Sequence, residues 1–259
     1  MNKRADSVIL CFIFLFILPA ALWAKDIDAA LQWSRKVELS TPVSGIVTEA
    51  LVNIGDHVRK GQPLMKLDER PFKAEVEKAK AGVKRLEVKH REAEGELKRA
   101  KEMHERELLA DHELELARIG SLTSDAEYKA AQAVLTKAEL DLEYSVVKAP
   151  FDGIILNRTI EIGQTIISAM QPAPMFTLAE SGYMVARIKI PDKGLAALSL
   201  GQKASVKVSG KEYKGVISRI GMEPVGVSEG GSLYEVDIRF SIGPSAIIRP
   251  GQKAVATLP

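Results

Sequence analysis

Thr41-Pro42-Val43-Ser44-Gly45-Ile46-Val47 returns 108 residues later as Ala149-Pro150-Phe151-Asp152-Gly153-Ile154-Ile155. Ten residues beyond each glycine stands a second one, Gly55 and Gly163, inside the runs Val52-Asn53-Ile54-Gly55-Asp56-His57-Val58 and Ile160-Glu161-Ile162-Gly163-Gln164-Thr165-Ile166. The constant offset marks an internal repeat. Short β-rich runs punctuated by turn residues read as strands joined by tight turns. Each copy, about 30 residues long, is half of a small sandwich and too short to bury a core alone, so the two must come together.

Between the copies, residues 71–145 hold 31 charged residues among 75, with Pro71 the only proline. They are rich in Ala, Leu, Glu and Lys, which favours helix. Both ends must return to one small domain, so the spacing predicts an antiparallel hairpin of two similar helices, with Pro71 at the start of the first. A 4-3 spacing runs from Phe72 through Val76, Ala79, Val83, Leu86, His90, Ala93, Leu97 and Ala100 to His104. On the return it links Ala110, Leu114, Ala117, Ser121, Ser124, Tyr128, Ala131, Leu135, Ala138, Leu142 and Ser145. Two such seams facing each other make a coiled coil. The stretch 119–124, around Gly120, competes as a turn, but turning there leaves helices of about 48 and 20 residues that could not return together. The tip is therefore placed at residues 108–111, with Asp111 capping the second helix. Each arm is then about 54 Å long. Pairing positions whose numbers sum to about 217 sets His90 against Tyr128 and His104 against Leu114. Without a second ligand at zinc spacing, these histidines read as seam residues and not as a metal site.

Beyond the second copy, Met184, Ala186, Ile188 and Ile190 alternate with Val185, Arg187 and Lys189, and Tyr234, Val236, Ile238 and Phe240 with Glu235, Asp237 and Arg239. These are half-buried strands. With further strand candidates at 203–208, 214–220 and 253–258 and turns at Gly201, Gly210 and Gly251, residues 183–259 read as a small antiparallel β-barrel. The stretch 221–232, with four glycines, reads as a loop.

The 259 residues are 46% apolar, 27% charged and only 5% aromatic, which favours two or three small units over one large core. The fold class is mixed α and β, elongated. A net charge of +2 and the lack of a basic cluster interleaved with aromatics speak against nucleic acid as a partner. Lys3 and Arg4 precede the apolar run 8–23, so residues 1–24 read as a secretory signal peptide, or as a short membrane anchor. Cys11, the only cysteine, lies within that run. The exported part has no thiol, which excludes disulfides and thiolate metal sites and points to a bacterial periplasm.

Taken together, several features resemble the periplasmic adaptor (membrane fusion protein, HlyD-like) family of RND-type tripartite efflux pumps. They are Pro42-x-x-Gly45, Gly55-Asp56-x-Val58-x-x-Gly61-Gln62-x-Leu64, the hairpin, Val147-Lys148-Ala149-Pro150-Phe151-Asp152-Gly153, and the barrel turns Ile190-Pro191-Asp192, Leu200-Gly201-Gln202 and Arg249-Pro250-Gly251-Gln252. The resemblance covers nearly all of 36–259. It implies a lipoyl-like (barrel-sandwich hybrid) domain in two halves, 36–70 and 146–180, split by the hairpin 71–145 and followed by the barrel 183–259. It also implies a non-catalytic protein without cofactor or metal, exported to the periplasm and associated with the inner membrane. Its implied partners are an inner-membrane transporter, RND-type first and ABC second, and a TolC-like outer-membrane channel. Several copies would form a homo-oligomeric ring, a trimer or a hexamer. The lipoyl-like turn residues are then Pro42, Gly45, Gly55, Asp56, Gly61, Pro150, Gly153 and Gly163. The channel-facing tip is Arg99, Met103, Leu108, Leu109, Ala110 and Asp111. Related adaptors carry at the tip an Arg, a Leu four residues later and a Ser seven beyond that; Arg99, Met103 and Ala110 occupy those places, so the match is partial.

Two other classes compete. A biotinyl or lipoyl carrier domain needs its lysine at the tip of a hairpin between the halves, but that position falls near Pro71, and Lys66 is about five residues early within a strand. A periplasmic scaffold without a pump predicts the same fold. An enzyme has little support, because His57, His90, His104 and His112 have no nucleophile at a matching site. Asp56 beside His57 reads as a turn residue. Valine at Gly45 or Gly153 is expected to damage folding through the backbone geometry these turns require.

Overall fold

The computed structural model describes residues 25–168, 174–243 and 248–258. The stretch read as a signal or anchor, 1–24, lies outside the described residues. Two compact units emerge, one of residues 33–183 and one of residues 25–32 with 184–258. The first described strand, β1 (Lys25–Trp33), leads from the second unit into the first.

In the unit of residues 33–183, the first repeat supplies β2 (Lys36–Leu39), β3 (Gly45–Ala50), β4 (His57–Val58) and β5 (Pro63–Leu67). Two long helices follow, α1 (Arg70–Glu105) and α2 (Asp111–Tyr144). The second repeat supplies β6 (Val146–Lys148), β7 (Gly153–Arg158), β8 (Thr165–Ile166) and β9 (Phe176–Glu180). The eight strands form two sheets, β2-β9-β7-β4 and β6-β5-β3-β8, each drawing two strands from each repeat. The crossings obey the sequence offset. Gly45 pairs with Ile166, and Gly153 with Val58. The Gly55 N–H donates to Ile155 O and the Gly163 N–H to Val47 O, both at 2.8 Å. Val43 and Phe151, Val47 and Ile155, Val52 and Ile160, and Val58 and Ile166 are all buried in one core. Neither repeat holds a complete ladder or core without the other, which is why they meet across the long insertion.

Five tight turns share one design: residues 53–56, 59–62, 161–164, 199–202 and 249–252. In each, the third residue is a glycine at φ between +80° and +93°. The N–H of the fourth residue donates to the carbonyl of the first at 3.0–3.4 Å. The side-chain oxygen of the fourth, Asp56, Gln62, Gln164, Gln202 or Gln252, accepts the N–H of the first at 2.7–3.3 Å. These are type II turns, which need a left-handed third residue. Gly55, Gly61 and Gly163 thus have the conformational reason expected of turn glycines, and Asp56 closes its turn. Gly45 and Gly153 do not. They open β3 and β7 without positive φ, following the exposed Pro42 and Pro150. Their requirement is space: a Cβ on Gly153 would lie 2.3 Å from the Ala179 carbonyl oxygen.

The hairpin springs from adjacent paired strands, since β5 pairs with β6 and α1 leaves the first as α2 enters the second. Asp68 accepts from the Arg70 guanidinium at 2.6–3.1 Å and from its N–H at 3.1 Å, and these bonds lower the half-buried Asp68 carboxyl to about 2. At the other end, the buried Thr41 hydroxyl donates to Tyr144 O at 2.7 Å and the Leu67 N–H donates to Ser145 O at 2.8 Å. The sandwich therefore satisfies carbonyls that the C-terminus of α2 leaves without helical partners. Within α1 and α2 every 4-3 position is buried or half-buried, and Gly120 lies within uninterrupted helix. His90 stacks on Tyr128 with ring centroids 5.7 Å apart, as the pairing rule requires. His104 has a polar partner as well, with its Nε2 2.7 Å from Asp111 Oδ1. The lysine expected of a carrier is absent from any turn between the halves, because Lys66 lies in β5 with its Nζ 3.1 Å from a Glu49 carboxylate oxygen and Pro71 lies in α1.

The second unit contains β10 (Tyr183–Pro191), the short α3 (Asp192–Leu195), β11 (Lys203–Val208), β12 (Lys211–Ser228), β13 (Gly231–Ser241) and β14 (Lys253–Leu258). The barrel closes in the order β1-β10-β13-β12-β11-β14. Two features correct the sequence reading. First, the barrel is not confined to 183–259: β1 pairs antiparallel with β14, from Lys25 opposite Leu258 to Ala30 opposite Lys253, and completes the closure. Second, residues 221–232 are not a loop. They extend the β12/β13 ladder out to Ser228 opposite Gly231, with register shifts around Pro224. Outside the barrel core, Asp237 accepts from Arg187 Nε and Arg219 Nε, each at 2.7 Å. Burial pushes its carboxyl up, but the two guanidiniums prevail and hold it below the usual aspartate range.

Candidate interface at the hairpin tip

The turn between the helices is built by backbone hydrogen bonds. Glu107 N–H donates to His104 O at 2.8 Å, and Leu108 N–H reaches back to Met103 O at 2.9 Å. Glu107 stands at φ +59°. This is a Schellman ending, with Arg106 as the C-cap and Glu107 in the left-handed place usually taken by glycine. Nothing in the sequence signals it, because the glycine that marks such endings is missing.

The consequence is that Leu108 is thrown outward, 68% exposed, with Met103, 44% exposed, one helical turn behind it. Leu109 is half-buried, while Arg99, Ala110 and Asp111 are exposed. The tip therefore gathers Met103, Leu108, Leu109, Ala110 and Asp111, with Arg99 one further turn down α1. Asp111 is not the helix cap. Ala110 holds that place, at φ −73° and ψ 151°, without a side-chain bond. Asp111 is the first helical residue, where a carboxylate favours the helix dipole. Its Oδ1 accepts from His104 Nε2 at 2.7 Å, which ties the start of α2 to the end of α1.

The surface offers apolar contacts ringed by charge, and it contains no nucleophile and base in hydrogen-bonding reach of each other. Such a surface suits recognition between helices. Sequence reasoning missed Leu116, Ile119 and Leu122 on α2, which are also exposed. They lie outside the 4-3 seam that was followed, and only their exposure distinguishes them.

A family model described as "RND MFP, barrel-sandwich hybrid domain" matches residues 35–178, more than half of the chain. The chain is 28% identical over 214 residues to the macrolide export protein MacA of Yersinia pestis, covering 75% of this chain and 57% of that protein. It is 26% identical over 163 residues to the membrane fusion protein MtrC of Neisseria gonorrhoeae, covering 63% and 39%. The chain thus spans less than two thirds of the length of these relatives. In three dimensions, the membrane fusion protein Spr0693 of Streptococcus pneumoniae R6 superposes with a TM-score of 0.66 at 19% identity, covering 90% of this chain and 97% of that one. A chimera of MacA with the MexA hairpin of Pseudomonas aeruginosa superposes at 0.63 with 18% identity, covering 90% and 80%. The match over residues 35–178, the two repeats with the hairpin between them, leads to one conclusion: the chain belongs to the membrane fusion protein family.

Proposed function

We propose that this protein is the adaptor of a tripartite efflux system, joining an inner-membrane transporter to a TolC-like outer-membrane channel. An RND-type transporter is the first choice, on the description of the matching family model. Residues 1–24 would direct export to the periplasm, and several copies would surround the exit path. The observation that carries the reading is the tip. A hairpin of 36- and 34-residue helices ends in a turn that displays Leu108 and Met103 to solvent, while its fully buried apolar seam residues, Val76, Ala79 and Ala138, lie at the sandwich end. Apolar residues at the tip do little for folding, so their use is contact with another molecule.

A photoreactive residue at Leu108 or Leu109 in the exported protein, followed by mass spectrometry of the captured partner, tests this. Capture of an outer-membrane channel supports bridging. Crosslinks to soluble proteins or to other copies alone favour a periplasmic scaffold. Capture of an ABC transporter from barrel positions would revise the transporter class. Leu108→Asp should leave the protein folded at normal abundance and abolish efflux, and unchanged drug or metal tolerance would refute the bridging role.

A further inference from the structure

β12 is 18 residues long, but β11 accompanies it only from Lys211 to Val216. Beyond the turn at 199–202, where the Gly201 N–H donates to Ile217 O at 2.8 Å, the strand runs on to Ser228, paired among the described residues with β13 alone. Every residue from 222 to 231 of this two-stranded ribbon is exposed, Met222 at 91%, Val227 at 82% and Val225 with them. Leu200, in the turn beside the ribbon, is exposed as well. These four side chains add little to the barrel core, and apolar groups gathered on a solvent-facing ribbon mark a contact surface.

The register fixes which end of the barrel carries the ribbon. Lys25 pairs with Leu258, Thr257 with Ser205, and Lys203 with Val216. β1 therefore begins, β14 ends and β11 begins at the end where β12 leaves the barrel for the ribbon. The ribbon tip lies by the end of β10, since a Cβ on Gly230 would be 3.5 Å from the Pro191 ring. Chain connectivity adds a further neighbour: the apolar run 8–23 is joined to β1 at Lys25, on this same end. The ribbon itself argues against a protein strand as its occupant. Pro224 has no N–H to donate, and three register shifts break the ladder between Ile217 and Gly226, so the free edge of β12 is a poor template for β-pairing. A ribbon two strands wide displays its apolar side chains singly, which suits a fluid apolar phase better than a shaped partner.

We propose that the β12/β13 ribbon is a membrane-contacting element, which seats Met222, Val225 and Val227 in the interfacial layer of a lipid bilayer. The exposed charges nearby are mixed, Glu223, Glu229 and Asp192 against Lys193 and Lys203. With no cationic excess to draw anionic headgroups, the contact is apolar and independent of lipid charge. It gives the barrel a hold on the bilayer separate from residues 1–24, whether that stretch stays as an anchor or is removed as a signal. The proposal deepens the adaptor reading, on which it rests for the identity of the bilayer, the inner membrane.

The test places a nitroxide label on the full chain, with Cys11→Ser removing its only native thiol, in vesicles of phosphatidylethanolamine and phosphatidylglycerol. Labels at M222C and V227C should lose accessibility to a water-soluble nickel chelate and gain accessibility to oxygen. A label at K211C, at the opposite end of β12, should stay in water. Phosphatidylcholine vesicles and high salt should give the same result, since lipid charge is not used. M222D/V227D should cut the lipid-inserted fraction of a label at V225C by about tenfold or more. Its circular dichroism and melting temperature should stay unchanged, because both side chains are exposed. Labels at 222 and 227 that remain as open to the nickel chelate as the one at 211 would overturn the proposal. Insertion into anionic vesicles alone would overturn its apolar basis. Protection in native membranes but not in vesicles lacking other proteins would replace lipid by a protein partner. If the ribbon labels stay in water while Leu108 still captures a channel, the lipid contact fails and the adaptor reading stands. If they insert without channel capture, the reverse holds.

Discussion

The two halves of the sandwich occupy equivalent places, yet they tolerate change unequally. Gly45 and Gly153 open corresponding strands and make corresponding cross-repeat pairs. A Cβ added at Gly45 would sit 3.2 Å from Leu67 Cδ1, the far end of a side chain that can turn. At Gly153 the same atom would sit 2.3 Å from the Ala179 carbonyl oxygen and 2.8 Å from Leu178 Cδ1. The first obstacle can give way, but the second is backbone held in the β7/β9 ladder. A repeat can keep its hydrogen-bond scheme while its packing diverges, because backbone pairing depends on offset and packing depends on the neighbours.

The largest effect should therefore come at Gly153. Gly153→Ala is expected to destabilise by about 3 kcal/mol or more, and Gly153→Val to give no folded protein. A melting temperature within a few degrees of wild type would erase the distinction between the halves. Thr41 and Ala149 offer the next contrast, since both are buried but only Thr41 caps a helix, donating to Tyr144 O. Thr41→Val should cost about 1 kcal/mol, the worth of one part-buried hydrogen bond, readable from denaturant midpoints at constant m-value. At the type II turns the halves should become equal again. Gly55→Ala and Gly163→Ala meet nothing within 4 Å but share positive φ, so each should lose about 1 kcal/mol, equally within error. Glu107→Gly is the converse: it relieves a left-handed non-glycine residue and should stabilise the hairpin by up to about 1 kcal/mol. Smallest should be Gly45→Ala, below about 1 kcal/mol, as Leu67 adjusts. A loss there equal to that of Gly153→Ala would show that the carbonyl is not the deciding obstacle.

Much of this architecture was legible in the chain because it rests on local periodicity. The 108-residue offset, the 4-3 seam through His90 and Tyr128 and the alternation in β10 and β13 each repeat a pattern that one element imposes on its own residues. The tip was legible in place and not in detail. Its position follows from equal arm lengths, but the exposure of Leu108 follows from a Schellman turn around Glu107, a residue that ordinarily argues against such a turn. Asp111 could be misread as a cap because carboxylates favour both the cap and the first helical turn.

By itself, then, the sequence determined a split sandwich, a helical insertion folded back at its midpoint and strands for a barrel, since spacing and turn chemistry are properties of neighbouring residues. Tertiary structure alone decided three things. It recruited Lys25–Trp33 to close the barrel, because that strand becomes one by pairing with β14 across more than 200 residues of chain. It carried the β12/β13 ladder through a glycine-rich stretch, where each strand supplies the partner that local propensity lacks. And it made Gly153 the intolerant glycine of the pair, because steric exclusion depends on which atom a distant strand places beside it, and no local pattern records that.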